Sequence, residues 1–307
     1  MQTHRDYFLN QLFEEAKKDN KIVIISPDFG APALDQFREQ LPNQFFHGGI
    51  SEQNVIDVAA GMALSGYKVY IYCMAPFITL RCLEQIKCSI SMMKLGINII
   101  STGVGLSYAD AGPTHYITED FACIRSLHHA NIFSASDLTS MDYIFNETLN
   151  NKKFNFIRLE RDPVGHFYSL ENIQDGYRYV LKSDQSKKIL ITYGHNLNRV
   201  INHIKEKKID NNFSIIELIR IKPLPLDLID DLIENYYHIH FIEEHNKEGG
   251  LASAILEEIN SKKNGGFNFK HYHLIDDYIF ENGGREYLLN KYGLNTNEIV
   301  SNILSIN

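Results

Sequence analysis

Three short runs of β-branched and aromatic residues recur early in the chain: IVIIS (22–26), VYIYCM (69–74) and INIIST (97–102). Continuous apolar runs of this length suit parallel strands covered on both faces. Between them the apolar positions take helical spacing. In 6–20 these are Phe8, Leu9, Leu12, Phe13 and Ala16; 52–64 reads as a closely packed helix ended by Gly66; and 77–95 reads as one long helix before Gly96. Further strands are expected at 132–134 and 156–159, with a helix over 140–149. Strands alternating with helices predict an α/β fold with a parallel sheet flanked by helices.

Residues 162–188 lose this rhythm, being polar, aromatic and turn-rich. A second, smaller α/β unit then begins: strand KILITYG, helix 198–208, strand FSIIELI, helix 226–236, strand HIHFIEE, a helix from Gly249-Gly250 through 259, and a last strand at 269–274. The expectation is two domains, 1–165 and 186–307, joined by a connector over 166–185. A length of 307 residues agrees with two domains of roughly 100–200 residues each.

With 30 Lys+Arg against 38 Asp+Glu and a formal charge of -8, the chain is not expected to bind nucleic acid or anionic membranes generally. One basic pocket for a phosphate remains compatible with that balance. Cys73, Cys82, Cys88 and Cys123 form no CxxC pair, so reduced thiols are expected rather than a disulfide scaffold or structural zinc. The first residues lack a signal-peptide pattern, and no apolar stretch approaches the roughly 18–20 residues that span a bilayer. A soluble, cytoplasmic protein is the expectation.

Several short motifs lead nowhere. Asp28-Phe29-Gly30 spells the kinase magnesium motif without its companion loops, and Gly103-Val104-Gly105 lacks the third glycine of a dinucleotide fingerprint. His4, His128, His129, His203, His238 and His240 read as surface or packing residues. Four segments at strand ends or helix starts are richer. Glu52 lies in Gly48-Gly49-Ile50-Ser51-Glu52-Gln53-Asn54, at the entrance of an otherwise apolar helix; Phe77 and Arg81 lie in PFITLRCLEQ; His115 closes Gly112-Pro113-Thr114-His115; and Arg158 and Arg161 lie in FIRLER. Singly, each has a bland explanation, such as a first-turn acid favoured by the helix dipole.

Together and in this order, GGISEQNVIDVAAGMALSGYKVYI, FITLRCLEQIK and GPTHYITEDFACIRSLHHANIFSASD resemble the pyrimidine-binding domain of the transketolase family. RIKPLPLD and IEEHNKEGGLASAILEEI resemble that family's C-terminal domain. The resemblance implies thiamine diphosphate as cofactor, with Glu52 as the carboxylate that shifts its aminopyrimidine to the imino tautomer. That role asks for a largely apolar surround that raises the carboxylate's proton affinity. It further implies that Phe77 stacks on the pyrimidine, that Arg81 and Asp28 belong to the cofactor's surroundings, that His115 serves as proton carrier or oxyanion donor, and that Arg161 and Arg158 face a sugar phosphate.

A full transketolase begins with another α/β domain that holds diphosphate and metal through a GDG…N segment, and this sequence contains no GDG. The resemblance therefore implies the C-terminal (beta) subunit of a split enzyme. The expected partner is an N-terminal subunit carrying that segment with Mg2+ or Ca2+, in an α2β2 assembly inactive without it. The expected activity is transfer of a two-carbon ketol unit between sugars or sugar phosphates. The E1 beta subunit of a 2-oxoacid dehydrogenase, a deoxyxylulose-phosphate-synthase-like enzyme, and an orphan regulatory half are the alternatives. GPTH and the EEH-x-x-x-GG spacing favour transketolase. Two departures touch substrate choice. The residue before GPTH is Ala111, with Asp110 one position early as a hydroxyl reader, and Gly103 stands where many transketolases place a histidine.

Overall fold

The structure is a computed structural model that describes residues 2–167, 172–209, 212–262 and 266–306. Residues 168–171 of the expected connector lie outside the described residues. Helix α1 (His4–Ala16) starts at Thr3, whose hydroxyl accepts the Asp6 N–H, and buries Phe8, Leu9, Leu12 and Phe13. The first sheet contains β1 (Ile22–Pro27), β2 (Phe45–Gly49), β3 (Lys68–Met74), β4 (Ile97–Thr102), β5 (Ala130–Ser134) and β6 (Phe154–Leu159). Side chains of β1, β4, β5 and β6 are buried at every position, as strands covered on both faces must be. Helix α2 (Glu52–Leu64) packs on this sheet through Val55, Ile56, Ala59 and Ala60.

The helix expected over 77–95 is interrupted. Helix α3 (Ala75–Thr79) gives way to a turn at 80–82, then a short helical turn at Leu83–Gln85, and Ile86–Ser91 widens into π-helical winding. The break turns Arg81 back toward α2, where its carbonyl accepts a 3.1 Å hydrogen bond from Gln53 Nε2. Helices α4 (Asp120–Arg125) and α5 (Leu138–Asn150) follow, α5 opening with a reciprocal Asp137–Ser140 cap.

The second sheet is built from β7 (Tyr177–Leu181), β8 (Lys188–Thr192), β9 (Ser214–Leu218), and, after the three-residue β10 (Arg220–Lys222), β11 (His238–Ile242) and β12 (Asn268–Tyr272). Its order is β12-β11-β8-β9-β7, parallel except for β7. Helices α6 (His195–Lys207), α7 (Leu226–Asn235), α8 (Leu251–Lys262), α9 (Arg285–Lys291) and α10 (Thr296–Ser305) surround it. Two boundaries therefore differ from expectation. Residues 177–181 of the expected connector form strand β7, and β10 returns to the first domain as an antiparallel edge beside β5. The first sheet thus runs β10-β5-β6-β4-β3-β1-β2. Among the described residues no helix is long and apolar enough to cross a membrane.

Candidate active site

Parallel α/β sheets present their functional groups beyond the carboxyl ends of the strands. Asp28 follows β1, Glu52 follows β2, Phe77 follows β3 and Arg161 follows β6, so the expected residues share that edge of the sheet. Four site residues meet directly. Glu52, 5% exposed at the start of α2, accepts a 2.7 Å hydrogen bond on Oε2 from Arg81 Nη1. The Arg81 guanidinium lies 4.5 Å from the centroid of the Phe77 ring. His115 meets the same ring edge-on at 5.5 Å, and its Nδ1 is 2.8 Å from the Thr114 hydroxyl. Burial, then the nearby Glu52 charge, pushes the Cys73 and Cys82 thiols up, Cys82 to about 12. Neither is a ready nucleophile.

The surround of Glu52 is less apolar than expected, because a guanidinium sits on the carboxylate. A second expectation is corrected outright. Arg158 is 1% exposed and holds Asp120 through two hydrogen bonds of 2.7 and 3.1 Å, with its guanidinium 4.9 Å from the Tyr193 ring centroid. It faces inward from the middle of the sheet and is not available to a substrate. Arg161, past the end of β6, is exposed and stacks 4.7 Å from the Tyr108 ring centroid. Asp28 and Asp110 are both exposed. At position 103 the backbone is left-handed (φ +84°), and a Cβ would run into the Tyr108 ring. No larger side chain, histidine included, fits there without moving Tyr108.

The EEH-x-x-x-GG stretch works as a lock between parts of the fold. Glu243 accepts the Leu251 and Ala252 N–H groups at 2.7 and 3.1 Å, capping α8, and Gly250 is needed because a Cβ there would strike that carboxylate. Glu244 reaches into the first domain and accepts the Leu106 N–H at 2.6 Å. Arg285 of α9 then joins Glu244 at 2.7 Å to Glu160 at 2.7 Å and Asp162 at 2.9 Å, closing a junction between the domains. Burial would push the Glu160 carboxyl up, but Arg285, helped by His195, outweighs it and holds it at about 2. Sequence reasoning missed this junction. Its members lie up to 125 positions apart and leave no local pattern.

What the fold and site define is a two-domain α/β subunit carrying a carboxylate, an arginine, an aromatic ring and a histidine in one cluster at a strand-end edge. Residues 1–165 match the family profile "Transketolase, pyrimidine binding domain", and residues 177–299 match "Transketolase, C-terminal domain". The chain belongs to the transketolase family. It is similar to one of the subunits of the apulose-4-phosphate transketolase of Phocaeicola vulgatus, 28% identical over 265 residues covering 83% of each chain. It is also similar to the putative transketolase C-terminal section of Methanocaldococcus jannaschii, 26% identical over 301 residues covering 95% of this chain and 92% of that one. Among solved structures, a split gene transketolase described as an inactive beta4 tetramer superposes with a TM-score of 0.85 at 24% identity, covering 99% of this chain and 98% of that one. The transketolase from Leishmania mexicana gives 0.78 at 14% identity, over 98% of this chain but 45% of that one.

The family depends on thiamine diphosphate, and the donor set fits the pyrimidine half of that group. A buried carboxylate can meet a ring nitrogen and an aromatic face can take a flat heterocycle. Glu52 and Phe77 already make contact with one planar group, the Arg81 guanidinium.

Proposed function

We propose that this chain is the C-terminal (beta) subunit of a two-chain transketolase that moves a two-carbon ketol unit between sugars or sugar phosphates. Thiamine diphosphate would lie at the interface with an N-terminal subunit that holds the diphosphate and its Mg2+ or Ca2+, in an α2β2 enzyme inactive in either half. The observation that carries the reading is the contact chain Glu52–Arg81–Phe77–His115, assembled from three segments of a transketolase-family chain. Two relatives, one named as a subunit and the other as a C-terminal section, support the division into two polypeptides.

When bound, the cofactor supplies an acidic thiazolium C–H and an electron sink for the transferred unit. Glu52 would hold a proton against the pyrimidine ring nitrogen, from a helix start that fixes its position. Phe77 would support the pyrimidine face, and His115, edge-on to that ring, would exchange a proton with a substrate oxygen or donate to it. Arg161, exposed on Tyr108, would hold a substrate phosphate, with Asp28 and Asp110 as rim groups for the cofactor and sugar hydroxyls. Gly103, closed off by Tyr108, would leave donor selection to Tyr108 and Arg161. Arg158 takes no part. Ile50, Val58, Leu64, Leu80, Met92 and Met93 are large exposed apolar side chains on α2, its preceding loop and the broken helix. A surface of that kind suits coverage by the partner subunit.

Hydrogen–deuterium exchange at cofactor C2 in the assembled complex tests the reading. Glu52→Gln keeps size and hydrogen bonding but cannot share the proton, so exchange should slow by orders of magnitude while cofactor binding and assembly survive. Equal rates would make Glu52 an ordinary first-turn acid, worth at most about 1 kcal/mol to stability.

A further inference from the structure

Both groups that would recognise an aminopyrimidine are already engaged by one side chain of this chain. Arg81 donates to Glu52 Oε2 at 2.7 Å and lies 4.5 Å from the Phe77 centroid. A guanidinium and a ring-protonated aminopyrimidine are both flat, delocalised cations with N–H groups that can meet a carboxylate in plane and stack on an arene out of plane. Phe77 cannot serve both, since its inner side packs on the core and His115 meets its edge. We propose that Arg81 is a built-in occupant of the aminopyrimidine subsite, one that an amidine-type ligand must displace before it can reach Glu52 and Phe77. The inference rests on the reading of Glu52 and Phe77 as pyrimidine ligands, and it makes Arg81 a determinant of affinity rather than a holder of the cofactor.

The local structure gives Arg81 somewhere to go. It sits on the turn at 80–82 with 43% of its side chain exposed, whereas Glu52 beneath is 6% exposed. It also borders an open groove of about 820 Å³ lined by Gln53, Leu80, Glu84, Lys87 and Met92 among others. Gln53 Nε2 holds the Arg81 carbonyl, so the backbone stays while the side chain rotates. Glu84, exposed on the groove, offers the displaced guanidinium a second carboxylate. The Arg81 guanidinium can return to solvent while an incoming cationic ligand takes its place, so the buried Glu52 carboxylate is not left unpaired.

The test is calorimetric titration of the full chain with 4-amino-2-methylpyrimidine and, separately, benzamidine. Wild type is compared with Arg81→Met, Arg81→Lys, Glu52→Gln and Phe77→Ala. Removal of the occupant should tighten binding of both probes to Arg81→Met by about tenfold, equivalent to about 1.4 kcal/mol. Arg81→Lys should fall between, because it keeps the charge on Glu52 but loses the flat fork. If Arg81→Met unfolds, tighter binding of the probes to Arg81→Lys than to wild type carries the comparison. Should wild type bind while both Arg81 variants bind equally or more weakly, Arg81 is no occupant, and the pyrimidine reading of Glu52 and Phe77 stands alone. Should no variant bind, or should Glu52→Gln and Phe77→Ala bind as wild type does, that reading falls and the occupant with it.

Discussion

Arg285→Met removes the guanidinium that the three carboxylates of the domain junction share. Its side chain is 10% exposed, and those of Glu160 and Glu244 are 7% and 5% exposed, so the variant leaves two buried acids facing each other with their main partner gone. Breaking a buried pair from one side costs about 3–5 kcal/mol. The Glu160 carboxyl points the same way: burial alone would raise it, and Arg285 holds it well below its ordinary 4.5. Because the folded value lies below the unfolded one, this contribution is present above about pH 4.5 and is lost as pH falls toward 2. In the variant, burial dominates and the Glu160 carboxyl rises, so protonation in acid relieves the strain instead. His4, fully buried and held down to about 4 chiefly by burial, feels the Glu160 charge and is freed from the opposing Arg285 charge, which acts in the same direction. Urea unfolding of both proteins at pH 8, 5 and 3 should therefore show a stability gap of about 3–5 kcal/mol at pH 8 that narrows once the pH falls below about 4.5. A gap under about 1 kcal/mol at pH 8, or one that stays constant to pH 3, would refute the argument.

Asp120→Asn, which leaves the Arg158 guanidinium buried without its counter-ion, should cost about 3–5 kcal/mol in the same assay and leave any phosphate preference of the assembled enzyme untouched. Arg161→Ala should do the reverse. Stability should hold, while KM for phosphorylated acceptors rises by the equivalent of about 1.5–3 kcal/mol and unphosphorylated acceptors are spared. A similar loss for both acceptor types would remove Arg161 from the site.

The buried strands β1, β3 and β4 were legible because parallel strands covered on both faces read as unbroken apolar runs. Strand β2 was not. FFHGG is an edge strand with only partly buried or exposed positions, so nothing in it asks for a sheet. Strand β7, YRYVL, hides for another reason. Its Arg178 is 1% exposed and reads as a loop charge, whereas it is neutralised by Asp137 and Glu217 from elsewhere in the chain. Glu52, Phe77 and His115 could be picked out only through family resemblance, since a lone carboxylate at a helix start carries no chemistry on its own. Their convergence with Arg81 depends on the break at 80–82, which a continuous helical pattern over 77–95 conceals. Arg158 was misplaced because sequence shows a charge in a strand but not which side it faces. Its partner Asp120 lies 38 positions away.

Strand β10 also decides whether the two domains can be parted. Arg220 and Lys222 pair with Phe133 and Ile132 of β5, and the Ile219 carbonyl accepts the Ser134 N–H at 2.9 Å. Without this strip the outermost strand of the first sheet would offer a row of open backbone donors and acceptors beside buried, mostly apolar side chains, a template for another chain to add to. A gene fragment ending at residue 165 therefore encodes a sticky sheet margin rather than a self-sufficient domain. Isolating the first domain in soluble form calls for either residues 219–222 grafted beside β5 or charged replacements along that strand.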